Sequence, residues 1–178
     1  YPRIYLRKGR ERRVLEGHPW VFSGAVAHHA EVEPGSVVDV CDAGGDFVGR
    51  GYYNLASSIP VRVLTRDEET VIDGRFLRDR IASALALREA WIDGRVTNAY
   101  RIVHGESDGL PGLIVDRYAD FLVVQFHTLG MDRFREEVVT ALVELLSPTG
   151  IYERSDVGTR RAEGMVEFPT GLIGGEEP

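Results

Sequence analysis

Gly105-Glu106-Ser107-Asp108-Gly109 has the G-x-S-x-G spacing of a nucleophile elbow, in which a strained strand-to-helix turn lifts a serine toward a base and an oxyanion site. That chemistry needs a helix directly after the turn. Leu110-Pro111-Gly112 and a β-rich run follow instead, and His104 is a neighbour in sequence without thereby being a base at hydrogen-bond reach. Gly105, Ser107, Asp108, Gly109, Pro111 and Gly112 therefore read as a glycine-rich structural turn, with Ser107 and Asp108 bonding local amides. A serine hydrolase at Ser107 is the weaker alternative. Cys41, the one cysteine, has no cationic neighbour in sequence to depress its pKa and reads as a small buried hydrophobe. The histidines His18, His28, His29, His104 and His127 lack zinc-ligand spacing, so no metal is expected. Gly49-Arg50-Gly51 runs into Tyr52-Tyr53, and the glycines of 171–175 precede no helix; neither is expected to cradle a pyrophosphate or an adenosyl group. No catalytic and no cofactor-binding residue is expected in this chain.

The N-terminal stretch offers a different chemistry. Arg3, Arg7, Lys8, Arg10, Arg12 and Arg13 are followed at once by His18-Pro19-Trp20-Val21-Phe22. Cationic side chains neutralise phosphates, and aromatic faces stack unpaired bases. Lys8, Arg10, Arg12, Arg13, His18 and Trp20 are the candidate RNA-binding residues, while Phe22 is expected to fill a core. Spacing leaves RNA contact and an ordinary solvated face both open. The net charge of −7 argues against nucleic acid over the whole surface, but residues 1–24 carry six basic and two acidic groups. Residues 1–66 stand at +2 and the remainder at −9. A phosphate backbone is drawn to the first part and repelled by much of the second.

These residues must be positioned by two different kinds of segment. Residues 1–66 alternate as short strands and turns: 3–7 extended, 10–16 about two helical turns, 36–42 and 47–53 a hairpin across Ala43-Gly44-Gly45-Asp46, and 59–65 a further strand. This is the pattern of a small β-barrel, with glycines at tight corners. Residues 66–70 form a polar break. Asp73 is a candidate N-cap for a long helix with Leu77, Ile81, Ala84, Leu85, Trp91 and Ile92 on one stripe. A strand at 100–103, a hairpin of 112–118 and 121–128 across Ala119-Asp120, one amphipathic helix from Met131 to Leu145, and a strand at 151–154 complete an α+β pattern. The 178 residues, 43% hydrophobic and 28% charged, have a globular composition. A lone cysteine excludes a disulfide scaffold, and no apolar run reaches the about 20 residues of a membrane span.

His18-Pro19-Trp20-Val21-Phe22-Ser23-Gly24-Ala25-Val26, after Arg7-Lys8-Gly9-Arg10-Glu11, resembles the opening of the PUA-domain-containing, S-adenosylmethionine-dependent ribosomal RNA cytosine-5 methyltransferases of the bacterial large subunit. Gly51-Tyr52-Tyr53, Ser57-Ser58-Ile59, the 105–112 turn leading into Val115-Asp116-Arg117-Tyr118, Tyr152-Glu153-Arg154-Ser155-Asp156-Val157 and Glu163-Gly164-Met165 extend the resemblance in order along the chain. It implies mixed α/β content: a PUA-like RNA-binding barrel over 1–68, then an α+β linking domain over 69–178, incomplete at its C-terminus. A Rossmann-like methyltransferase domain, with the cofactor loop and catalytic cysteine, is expected to lie beyond Pro178 and to be absent here; Cys41 does not correspond to that cysteine. Ala119-Asp120 departs from the family's usual glycine-containing turn. The expected function is to bind and position ribosomal RNA in the cytoplasm for a parent methyltransferase that uses S-adenosylmethionine, with no membrane partner and with homodimerisation left open. The rival from another class is a standalone protein-interaction module that uses the acidic second segment.

Overall fold

Valines and other apolar residues alternate with polar ones through the first third of the chain, and a pleated strand turns alternate residues to opposite faces. In the computed structural model, which describes residues 1–29 and 31–177, these runs form β1 (Arg3–Leu6), β2 (Trp20–Val21), β3 (Val26–His29), β4 (Val37–Cys41), β5 (Phe47–Tyr53) and β6 (Val61–Thr65). They make one sheet in the order β2-β6-β5-β4-β1-β3. β1 pairs parallel with β4, and the other pairs are antiparallel. The sheet has to curl. Laid flat, its edge strands β2 and β3 would stand about 24 Å apart; only the turn at Ser23–Ala25 joins them, and the chain from Val21 to Val26 reaches at most about 18 Å. The inside is filled by Ile4, Leu6, Val14, Val38, Val40, Tyr53 and Val61.

Two residues settle how tightly this barrel is wound. A Cβ on Gly51 would overlap the Arg62 carbonyl on the neighbouring strand, so only glycine permits this approach of β5 to β6. Arg50, 5% exposed, bonds Asp39 at 2.6 Å, donates to the Glu68 carbonyl at 3.0 Å and to that of Thr70, and lies 4.2 Å from the Tyr1 ring centre. The polar break at 66–70 is therefore strapped to the barrel. Phe22, expected in the core, is 40% exposed; Val21 takes the inward position because neighbouring strand residues face opposite ways. The helix expected over 10–16 is shorter, α1 (Arg12–Leu15).

In the second unit α2 (Gly74–Trp91) begins where Asp73 Oδ1 accepts from the Phe76 amide at 2.9 Å. A five-stranded sheet of order β11-β10-β9-β8-β7 follows: β7 (Ala99–His104), β8 (Leu113–Tyr118), β9 (Phe121–Phe126), β10 (Gly150–Arg154) and β11 (Thr170–Gly175). Ala119 takes a φ of 54° in the β8–β9 turn, where the family favours glycine. The expected single helix from Met131 is broken at Phe134 into α3 (Leu129–Asp132) and α4 (Arg135–Leu146). The short helix α5 (Thr159–Ala162) lies between β10 and β11. α2 and α4 pack over a core that includes Leu77, Ile81, Ile102, Leu113, Val124, Val138 and Leu142. Tyr52, from the barrel, belongs to this second core. Trp91, placed on the buried stripe by its spacing, is 83% exposed because the last buried residue of α2 is Leu85.

The expectation of a purely α+β unit needs correction. β9 and β10 run parallel and are joined through α3 and α4, the strand–helix–strand crossover that characterises α/β folds. The glycines of 171–175 form a strand paired with β10. No helix among the described residues is long and apolar enough to cross a membrane.

Candidate nucleic-acid interface

Barrel closure places the basic strip and the aromatic run side by side. Lys8 stands on the turn after β1, while Arg12 and Arg13 project from α1. Lys8, Arg10, Arg12 and Arg13 are all exposed. Arg12 pairs with Glu16 at 2.7 Å, but with its side chain 82% exposed this pair leaves it available to another anion. Arg10 and Arg13 line a groove of about 280 Å³ together with Trp20, Phe22 and Gly24. His18, Trp20 and Phe22 form a triangle of rings with centres 5.9–6.1 Å apart. His18 Nδ1 accepts from the Trp20 amide at 3.1 Å, which fixes the imidazole at one corner. The structure thus brings Arg10, Arg13, His18 and Trp20 to one face, with Lys8 and Arg12 exposed on the elements that carry it.

Trp20 also walls a second cavity, about 570 Å³, between the barrel and the second unit. Its indole Nε1 donates to Glu106 Oε1 at 2.7 Å across that boundary. Arg62, 5.3 Å from the Trp20 ring centre, reaches Glu106 and Glu163 at 3.2 Å each. Glu163 also accepts from Ser57 Oγ at 2.7 Å and Asn54 Nδ2 at 3.0 Å. Its own helix is held to the second unit by Arg160, 1% exposed, which donates to the Phe126 and Glu167 carbonyls at 2.8 Å and pairs with Asp132 at 2.9 Å. Arg135 bridges Asp132 and Glu153. On the far side of the cavity Gln125 Oε1 meets His127 Nε2 at 2.7 Å, and burial holds the His127 imidazole below the usual histidine range.

The 105–112 segment forms a 3₁₀ turn, Gly105–Asp108, at the edge of this cavity. Gly105, Gly109 and Gly112 take φ values of 52°, 70° and 80°. Asp108 accepts from the His104 amide at 2.6 Å and grips Arg88 through two bonds of 2.7 Å. Pro111 offers its carbonyl to the Tyr52 hydroxyl at 2.8 Å, and Tyr52 shares a second 2.8 Å bond with Thr128. Ser107 is exposed and, against expectation, bonds no local amide, leaving that role to Asp108; nor does a hydrogen bond join it to a histidine among the described residues. Burial pushes the Cys41 thiol up, away from the thiolate a nucleophile needs.

An adenosyl cofactor would need a free glycine-rich backbone to cradle it. Gly49 and Gly51 sit within β5, paired on both sides, and Gly171, Gly174 and Gly175 pair with β10. These backbones are engaged in strands, and none opens a helix N-terminus toward a ligand. Neither of these two glycine stretches fits such a group. Among the described residues, no group of three or more His, Cys, Asp or Glu is placed to hold a metal ion.

Sequence reasoning missed Arg62, Glu106, Glu163, Gln125 and His127 as parts of a site. Their signal was faint: Arg62 is a charge between two valines, and Glu106 and Glu163 sit in motifs that show no partner for them. The partners of these three lie 44 to 109 residues away along the chain, whereas Gln125 and His127 are partners two residues apart.

Residues 4–66 match the family of PUA-like domains. Across 178 residues the chain is 47% identical to the ribosomal RNA large subunit methyltransferase I of Shewanella amazonensis, covering 99% of this chain and 44% of that protein. The namesake from Klebsiella pneumoniae is 40% identical over 180 residues, at 100% and 44% coverage. The chain therefore spans less than half the length of the curated relatives it matches. A solved methyltransferase structure in complex with SAH superposes with a TM-score of 0.82 at 16% identity, covering 100% of this chain and 44% of that one. A SAM-dependent methyltransferase from Streptococcus mutans gives 0.78 at 18% identity, with 98% and 44% covered. This likeness overturns the expectation that a methyltransferase-like domain is missing from the chain. The barrel and the α/β unit are together part of the fold those methyltransferases have.

Proposed function

We propose that this chain binds ribosomal RNA and positions it for methylation. The division of labour falls near residue 68: the barrel supplies the RNA face, and the α/β unit holds that face in a fixed orientation. The observation that carries this reading is the groove in which Arg10 and Arg13 meet Trp20, with the His18 ring packed edge-on against that indole. Arginines there neutralise phosphates while the rings favour unpaired bases. The relatives' names supply the reaction class. Methyl transfer to cytosine C5, with S-adenosylmethionine as donor, is the activity we assign to the whole protein. This chain contributes position and no catalytic residue, and its setting is the cytoplasm. The 105–112 segment serves as a structural turn that presents Glu106 to Trp20 and Arg62, not as a hydrolase site.

Photocrosslinking tests the reading. A large-subunit RNA fragment carrying 4-thiouridine, irradiated with the whole chain, should yield adducts within residues 8–22. Adducts confined to the second sheet, around Tyr118 and Tyr152, would move the RNA face off the barrel, and the absence of any adduct would favour the protein-interaction module instead.

A further inference from the structure

The cavity between the two units is not explained by RNA backbone binding. Its charged walls are already committed. Glu106 is taken by the Trp20 indole and Arg62, and Glu163 by Arg62, Ser57 and Asn54. Two carboxylates share one guanidinium within this set, and the net negative charge offers nothing to a phosphate. Arg101, also on the wall, is taken by Asp116, and what still faces the space is two-sided in its hydrogen bonding. Among the described residues, the Gln125 amide N–H groups, the Ser107 hydroxyl and the His104 imidazole make no hydrogen bond, while the Gln125 oxygen meets His127. With Nε2 of His127 donating to Gln125, its Nδ1 remains an acceptor. Neutral donors and acceptors in a partly apolar cleft suit the edge of a heterocycle. A volume of about 570 Å³ is ample for one nucleoside. Trp20 is shared with the basic groove, so a strand whose phosphates lie on Arg10 and Arg13 has its next base at the cavity mouth.

Resting on the RNA-binding reading above, we propose that this interdomain cavity is a subsite for one unpaired nucleobase of the bound RNA. The base enters past Trp20 and is read by Gln125 and His127, while its phosphates stay on the barrel. Trp20, pinned by Glu106, keeps the entrance open without the ordering cost that a mobile ring would carry.

The test uses the whole chain carrying Trp91→Phe, which leaves Trp20 as the remaining tryptophan of two and so a fluorescence reporter of the entrance. The probes are an RNA hairpin with a single-stranded loop and the same hairpin with one loop nucleotide made abasic, scanned along the loop. At one loop position, loss of the base should weaken binding by about tenfold and abolish the Trp20 response, with the salt dependence unchanged. A Gln125→Ala/His127→Ala variant should no longer distinguish the abasic from the intact hairpin. Should that variant fail to fold, the abasic scan on the parent chain still decides. Equal binding of the intact and every abasic hairpin overturns the base subsite while leaving backbone binding standing. No binding of either hairpin at low salt overturns the RNA-binding reading, and the subsite with it.

Discussion

His127 shows how a residue's environment sets its chemistry. Burial lowers its pKa, so the folded chain prefers the neutral ring, while the unfolded chain protonates at the ordinary histidine value of about 6.5. The unfolded state then binds more protons below that value, and folding loses stability as pH falls from about 6.5 through the lowered folded pKa. Thermal unfolding between pH 7 and 5 should show this decline, and His127→Gln should flatten it. The carboxylates with lowered pKa, among them Asp67, Asp93 and Asp156, act only at more acid pH. An unchanged pH profile in the variant would mean that His127 is solvated rather than shielded. The basic strip and the glycines of the 105–112 turn were visible in the sequence, but the ties of that turn were not, since Asp108 and Pro111 bond the distant Arg88 and Tyr52. Nor were the surroundings of His127: its burial comes from segments far away in the chain.

At the scale of elements, local signals were read well and long-range ones poorly. The start of α2 was legible because Asp73 and the apolar spacing are both local. Its end was not. Trp91 keeps the periodicity of the stripe, yet the core stops at Leu85, and periodicity alone does not tell where a partner surface runs out. Ile81→Ala should cost about 2–5 kcal/mol by opening a cavity, whereas Trp91→Gln should cost less than about 0.5 kcal/mol. Chemical denaturation of both variants measures the contrast; a large loss for Trp91→Gln would place its ring inside the fold. β2 was missed because two residues carry no period, and its pairing of Trp20 with Arg62 spans 42 residues of chain. The parallel β9–β10 pairing was likewise invisible, although both strands and the intervening helical stretch were recognised. Adjacent strands on one strip of sequence do not announce their relative direction.

For the molecule as a whole, the arrangement of the two units rests on polar ties around Glu163. Removing that carboxylate strands the Ser57 hydroxyl, leaves the Asn54 amide with the Glu163 backbone carbonyl alone and leaves Arg62 with Glu106 alone. Glu163→Ala should destabilise the chain by about 3 kcal/mol or more, as for a buried ion pair that loses one partner. It should also expose the 155–169 stretch to limited proteolysis before the barrel is cut. Wild-type stability in this variant would show that the apolar packing of Tyr52 suffices to hold the units together. A surface control for RNA binding needs exposed arginines of the second unit, which excludes the buried Arg160 and Arg135, tied to Asp132 and Glu153. Arg75 and Arg95 are exposed and better suited.

The central claim, that the basic strip of the barrel is the RNA surface, is tested most directly by titrating a ribosomal RNA fragment at several salt concentrations. Wild type is compared with Lys8, Arg10, Arg12 and Arg13 changed together to Ala, and with Arg75 and Arg95 changed to Ala. The N-terminal variant should bind more weakly, with a log–log salt slope lowered by about 0.7–0.9 for each phosphate it no longer neutralises. The Arg75/Arg95 variant should keep the wild-type slope. An N-terminal variant with wild-type affinity and slope would contradict the account and reduce the strip to a solvated face.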